Sequence, residues 1–368
     1  MAQNTLNLRF VSLPVGWDAA ELTRLELKDG TTYQQMVTEI NNALTFANQL
    51  LMSSYYGRLV HVTDEVALEY DEGAVPGFQR ITERARGDGR KGTTKGHMLP
   101  LVGFDYELNW TFLFLRDARR KQIQRQVNGL IDNVENLFAK QVLTRHFKME
   151  EESGRYYGLG ASGVSAPFLN GSAETLTFTP VSVPERSVAF ASTHDHFLRL
   201  NGITQANLET AVDHLWEHNI DGPYELIVAE ADKANWTNTT NVTGYVEKPD
   251  PSIAYGDEQS LARVEDIYIG GVKTERGFCR LIASARIPAN YWSVTKTYGQ
   301  DDMNNPLAVR VEDSATLGAS LVVEHVSQYP LQGAIPLIFF GVGVNRREGA
   351  VLVENDTSGD YATPTISE

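Results

Sequence analysis

The chain has 368 residues, 42% of them hydrophobic and 21% charged, which allows a full core and about two lobes of 100 to 200 residues each. Its 32 basic against 47 acidic residues leave a net charge of -15, which repels nucleic acid overall and argues against specific nucleic-acid binding while leaving passive containment of DNA open. The longest apolar stretch, 333–344, contains Pro336 and falls short of the roughly 18 residues of a membrane span, and the single Cys279 excludes an intrachain disulfide or a zinc site built on several thiolates.

The N-terminus lacks the charged and apolar regions of a secretory signal, so a cytosolic product is expected. Residues 1–30 show no sustained period and read as an arm. From 31 to 52 apolar residues recur near 3.6 spacing, predicting an amphipathic helix with Thr31 or Thr32 as N-cap. Two strand-like runs follow, 58–70 and 98–110, separated by about 27 polar, glycine-rich residues. Loops beyond about 12 to 15 residues are uncommon inside a compact domain, so this pattern predicts a long hairpin projecting from the body.

Residues 111–149 hold the clearest periodicity. Ile123, Val127, Leu130, Ile131, Val134, Leu137, Phe138 and Val142 share one helical face, and roughly 30 residues at about 1.5 Å each make a rod of about 45 Å. Beyond Gly154, 174–184 and 187–197 read as strands. A helix is expected at 204–219, with Thr204 as N-cap and a stop at Gly222 and Pro223. Residues 224–230 read as a buried strand and 231–242 as a short helix giving way to a loop. Nearly everything from 262 to 350 looks extended, and the tail, 355–368, is polar with little structural signal.

The basic stretch 84–98 carries Arg84, Arg86, Arg90, Lys91 and Lys95 among four glycines. Gly87 and Gly92 have the spacing of a phosphate-binding loop, but Thr93 stands where lysine must be and a strand follows instead of a helix. Arg86-Gly87-Asp88 is a three-residue adhesion match in a chain without a secretion signal. What remains is a cationic hairpin tip that meets an acidic surface elsewhere; exposed pairs contribute about 0 to 1 kcal/mol each, so such a contact needs repetition over many copies.

His214, Glu217 and His218 match the inverted zinc-hydrolase pattern H-x-x-E-H. They also occupy the last turn of a helix, where the dipole favours histidine, and the structural reading is preferred. His194 and His196 fall on one side of an extended run, a weaker metal signal. Arg116, Arg119, Arg120, Lys121 and Arg125 open the long helix and read as a solvated or subunit-contact face. Cys279 reads as a core residue. Sequons at Asn170, Asn235, Asn238, Asn241 and Asn355 require a secretory route that the N-terminus does not suggest. No catalytic pattern and no cofactor site emerge.

The order of arm, helix, projecting hairpin, long helix and mixed α+β region resembles the major capsid proteins of tailed bacteriophages with the Hong Kong 97 fold, shared by encapsulins. Residues 284–298 look like that family's strand, proline-containing turn and strand, and 307–314 with 320–342 look like its closing strands, Pro336 preceding the last. The resemblance covers about residues 30–350. It implies an α+β fold divided into N-arm and N-terminal helix (1–54), E-loop (55–110), P-domain with spine helix (111–180), A-domain (181–283), P-domain closing strands (284–335), and an A-domain return strand with the C-terminal tail (336–368). It implies a non-enzymatic subunit that assembles as pentamers and hexamers into an icosahedral shell around double-stranded DNA, in the host cytoplasm and then in the virion. The implied partners are further copies of the chain, a separate scaffolding protein, a portal and a decoration or cement protein. The tip with Arg84, Arg86, Arg90, Lys91 and Lys95 would lie over a neighbour's P-domain. Some members cross-link an E-loop lysine to an asparagine of the closing strands; Lys91 and Lys95 are available, but no asparagine lies between 306 and 344, so no cross-link is expected. An encapsulin-like compartment and, remotely, a zinc hydrolase built on His214, Glu217 and His218 are the alternatives.

Overall fold

A computed structural model describes residues 27, 29–31, 33–72, 93–106, 108–111, 117–155, 162–170, 195–248, 268–312, 317–324, 331–357 and 359–366. The first helix, α1, spans Tyr33–Leu51, close to the predicted range, and turns Ile40, Leu44, Ala47 and Leu51 into the core. On its flank Asn48 donates to the Ala319 carbonyl and accepts the Ala319 N–H, each at 3.0 Å.

The two runs expected as single strands are each divided. Residues 58–70 become β1 (Val60–Thr63) and β2 (Ala67–Glu72); the second run yields β3 (Thr93–Met98), β4 (Val102–Asp105) and β5 (Leu108–Thr111). Only β2 and β3 form the two-stranded ribbon, antiparallel from Ala67 opposite Met98 to Glu72 opposite Thr93. The charged turn at Asp64 and Glu65 breaks the first run, and Pro100, without an N–H to give a ladder, breaks the second. At the root the Leu99 N–H donates to the Val66 carbonyl at 2.9 Å. Residues 73–92, including most of the basic stretch, lie outside the described residues.

The long helix, α2, covers Arg120–Phe147, 28 residues or about 42 Å. Its first N–H groups are capped from two sides: the Arg119 N–H donates to Gln122 Oε1 and the Arg120 N–H to Asp29 Oδ2, both at 2.9 Å. Ile123, Val127, Leu130, Val134, Phe138 and Val142 are buried as the periodicity predicts. The last turn departs from a one-sided helix, because Arg145, His146 and Phe147 are buried as well.

The chain continues through β6 (Glu152–Arg155), β7 (Ser162–Ser165), β8 (Phe197–Leu200), α3 (Gln205–Glu217), β9 (Tyr224–Ala229), α4 (Lys233–Trp236), β10 (Tyr245–Glu247), β11 (Tyr268–Thr274) and β12 (Gly277–Ser284). It closes with β13 (Tyr291–Thr295), β14 (Leu307–Val311), β15 (Ser320–Glu324), β16 (Leu331–Val344) and β17 (Ala350–Asn355). The predicted N-cap is present: Thr204 accepts the Asn207 N–H at 3.2 Å. Of the strands expected at 174–184 and 187–197, all but the last three residues lie outside the described residues.

Two sheets organise these elements. A six-stranded sheet runs β1-β14-β16-β15, with β4 and β5 on the other side of β16. Pro336 sits inside β16 opposite Leu321, at the point where β4 has ended and β5 has not begun on the other side, so its missing N–H leaves no ladder bond unmade there. Gly341 admits the hairpin root: a Cβ there would stand 1.9 Å from the Pro100 carbonyl oxygen. β16 runs unbroken through the division expected at 335/336.

The second sheet has seven strands in the order β10-β11-β12-β9-β13-β17-β8. β9 is buried along its whole length, as its unbroken apolar run predicts. Leu226 and Val228 face α3, and Ile227 and Ala229 join the core shared with α2 and the six-stranded sheet.

The tail corrects its sequence reading. Residues 359–366 lie across the junction of α2 and the seven-stranded sheet, with Tyr361 and Ile366 buried. Polarity hid this because three buried residues, Tyr361, Pro364 and Ile366, among small polar ones leave no helical or strand period.

Candidate assembly surface

Of the predicted hairpin-tip residues, Arg84, Arg86, Arg90 and Lys91 lie outside the described residues, and Lys95 stands in β3 opposite Tyr70. The root of the ribbon carries what sequence reasoning missed. His97 is buried there, and burial first, then the Arg347 charge, push its pKa down to about 4 against the Val344 carbonyl, with Arg145 adding a smaller push in the same direction. Arg347 donates from Nε to the Pro167 carbonyl at 2.9 Å, Arg145 to that of Glu150 at 3.3 Å, and Arg310 to that of Leu99 at 3.1 Å. Buried guanidinium groups thus tie backbone carbonyls around the point where the ribbon leaves the body. Arginine is rarely buried, and nothing in the local pattern marks these three for it.

The H-x-x-E-H residues are separated by their hydrogen bonds. His196, wholly buried just before β8, has Nδ1 2.7 Å from the Ala350 carbonyl, so that nitrogen carries the proton. Its Nε2 therefore accepts from His218 Nε2 at 2.9 Å. His214 turns Nδ1 to the Thr210 carbonyl of its own helix at 2.8 Å. Burial raises the carboxyls of Glu217 and Asp195. Among the described residues no group of three His, Cys, Asp or Glu side chains is arranged to hold a metal ion. The histidines instead join α3 to the sheet. His194 lies outside the described residues.

Cys279 is buried in β12, and burial pushes its thiol up to about 12, which keeps it protonated at neutral pH. At the start of α2, Arg119, Lys121 and Arg125 are exposed and Arg120 pairs with Glu39 at 2.6 Å; Arg116 lies outside the described residues. A groove of 450 Å³ opens there between α1 and α2, lined by Ile40, Ala43, Ile123 and Val127. A second, of 310 Å³, lies between α2 and the hairpin root, lined by Phe104, Tyr106, Leu130, Leu137 and Ile338. Among the described residues no helix is long and apolar enough to cross a membrane.

A long helix laid over one sheet, a second sheet with its own helices, and a two-stranded ribbon rooted between strands of the first together make the Hong Kong 97-type capsid fold, an α+β architecture. The chain superposes on a protein of Mycobacterium phage Patience with a TM-score of 0.65 at 20% identity, covering 92% of this chain and 93% of that one. The mature capsid of bacteriophage PhiM1 gives 0.46 at 10% identity over 83% and 88% of the two chains. The SrpI encapsulin complex from Synechococcus elongatus gives 0.43 at 10% over 83% and 89%. The fold is the one this chain shares with the Patience protein. No family model matches the chain, and no curated protein matches it by sequence.

Proposed function

We propose that this chain is the repeating subunit of a tailed-phage capsid, assembling from pentamers and hexamers into an icosahedral shell around double-stranded DNA. The observation that carries the reading is a fold shared along nine-tenths of both chains with a phage protein. The net charge of -15 fits a wall that encloses DNA without adhering to it. The role is structural rather than enzymatic, and no cofactor enters it. In this reading the six-stranded sheet with α2 forms the P-domain, the seven-stranded sheet the A-domain and the β2–β3 ribbon the stem of the E-loop; against the expected division this moves β13 to the A-domain, and most of β16 together with β1, β4 and β5 to the P-domain.

In this reading the tip carrying Arg84, Arg86, Arg90, Lys91 and Lys95 completes its contacts on another copy. A separate scaffolding protein guides closure, a portal occupies one vertex, and non-covalent burial or a cement protein stabilises the wall. Assembly takes place in the host cytoplasm. Electron microscopy of the expressed chain, alone and with its scaffold, tests the proposal: closed shells of uniform diameter support it, and a persistent monomer under both conditions refutes it. A denaturing gel of purified shells should show a single 40.9 kDa band, as expected without covalent cross-links.

A further inference from the structure

Two Asn-Gly pairs fall wholly within the described residues, Asn128–Gly129 and Asn201–Gly202. They share a chemistry. A glycine has no Cβ to shield its backbone nitrogen, which can attack the side-chain carbonyl carbon of the preceding asparagine and close a succinimide ring. Both asparagines are exposed and each follows an aliphatic residue, Val127 or Leu200, so local sequence does not separate them. Their backbones do.

Asn128–Gly129 lies inside α2, where the helical ladder engages the glycine N–H with the carbonyl four residues back. Ring closure there requires that turn of the rod to open, against the packing of Val127 and Leu130 in the core. Asn201–Gly202 instead forms the turn between β8 and α3. Among the described residues neither the Asn201 side-chain amide nor the Gly202 N–H makes a hydrogen bond. Gly202 stands at φ +78°, and a Cβ built on it would meet nothing within 4 Å, so nothing crowds the turn.

One side chain restrains this turn. Asn207 Nδ2 donates to the carbonyls of Asn201 and Gly202 at 3.0 and 2.7 Å. These bonds hold the two carbonyls and leave the nitrogen between them free. To bring its amide carbon over the Gly202 nitrogen, the Asn201 backbone must rotate, and the Asn207 bonds oppose that rotation.

We propose that Asn201 is a self-modifying site, deamidated in the folded chain through Gly202 with water as the only co-reactant, and that Asn207 sets the pace. The Gly202 nitrogen gives its proton to water or hydroxide and bonds to Asn201 Cγ; the side-chain nitrogen takes up a proton and leaves as ammonia. Water then opens the ring. Addition at Cγ leaves aspartate, and addition at the main-chain carbonyl carbon leaves isoaspartate, with the backbone running through Cγ; nothing is oxidised or reduced. Either product adds one negative charge just ahead of α3, at the helix end whose dipole favours it. Isoaspartate also lengthens the backbone by one atom and shifts the Asn201 carbonyl that Asn207 holds. The inference is independent of the shell reading.

Peptide mass spectrometry with isoaspartate detection tests it. Folded chain and chain unfolded in urea are incubated in mildly alkaline buffer until the unfolded sample has lost half of both asparagines. In the folded chain Asn201 should convert about tenfold faster than Asn128 or more, since only Asn128 needs a helix interior to open. Equal conversion of the two, or an intact Asn201 in the folded chain, overturns the site. Asn207→Ala should hasten conversion at Asn201 about fivefold, the ratio that one net hydrogen bond corresponds to, and leave Asn128 unmoved. An unchanged rate at Asn201, or an equal rise at Asn128, overturns the restraint. Should that variant fail to fold, the comparison of the two asparagines in the native chain still decides the site.

Discussion

The hydroxyl of Tyr361 donates to the backbone carbonyl of Phe147 at 2.9 Å, joining the tail to the C-terminal end of the long helix, 214 residues away in sequence. Around this bond Tyr291 donates to the Ala362 carbonyl at 2.9 Å, Glu354 accepts the Ala362 N–H at 2.8 Å, and the Thr363 hydroxyl donates to Glu150 at 2.7 Å. The tail therefore straps α2 to the seven-stranded sheet. Tyr361→Phe should lower stability by about 1 kcal/mol, because the Phe147 carbonyl stays buried without its donor. Urea unfolding measures the shift; an unchanged midpoint would mean that the strap contributes nothing.

Phe138 is wholly buried, with ring centroids 5.9 Å from Tyr56 and 5.7 Å from Phe340, so it bridges the chain after α1, the long helix and β16. Phe138→Ala should cost about 3 to 5 kcal/mol, the range for a large aromatic removed from a core that cannot collapse around the hole. Phe138→Leu should recover most of it. Equal losses in the two variants would point to something other than volume.

Acid should destabilise the chain through its buried histidines. Burial holds His146, bonded to Ser293 Oγ at 2.9 Å, down to about 3, and His97 down to about 4. Both stay neutral in the fold while an unfolded chain protonates them near 6.5, so stability is full above about 6.5 and falls as pH drops toward 4 and then 3. Each contributes a slope of up to about 1.4 kcal/mol per pH unit in that window. Stability against pH should lose one such slope in His97→Asn, whatever the variant's stability at neutral pH.

Thr204→Ala should destabilise α3 by about 1 kcal/mol, since the Asn207 N–H loses its acceptor, and Thr204→Ser should not. Thermal melting of the three chains decides this. Dialysis against a chelator should leave the melting temperature unmoved, because His196, His214 and His218 spend their described bonds on carbonyls and on each other. A drop of several degrees would return the histidine motif to metal chemistry.

Much of the frame is legible in local periodicity. The face running from Ile123 to Val142, the Thr204 cap and the unbroken apolar run of β9 depend on neighbours within a turn or a strand, and each is found where its pattern points. The histidine pattern was equally legible and less informative, since spacing along a helix does not say where each ring's protons go. The basic stretch 84–98 remains a statement about charge, of which the described residues include only the ribbon strand at its end.

Sequence alone determined the amphipathic helices, the presence of a long hairpin and the excess of acid, because these follow from residue spacing and composition. Tertiary structure decided that the strand runs divide at Asp64–Glu65 and at Pro100, that Arg145, Arg310 and Arg347 are buried around the ribbon's root, and that a polar tail docks through Tyr361. Those outcomes depend on which distant carbonyls and cavities become available, and burial between segments hundreds of residues apart leaves no mark in a local window.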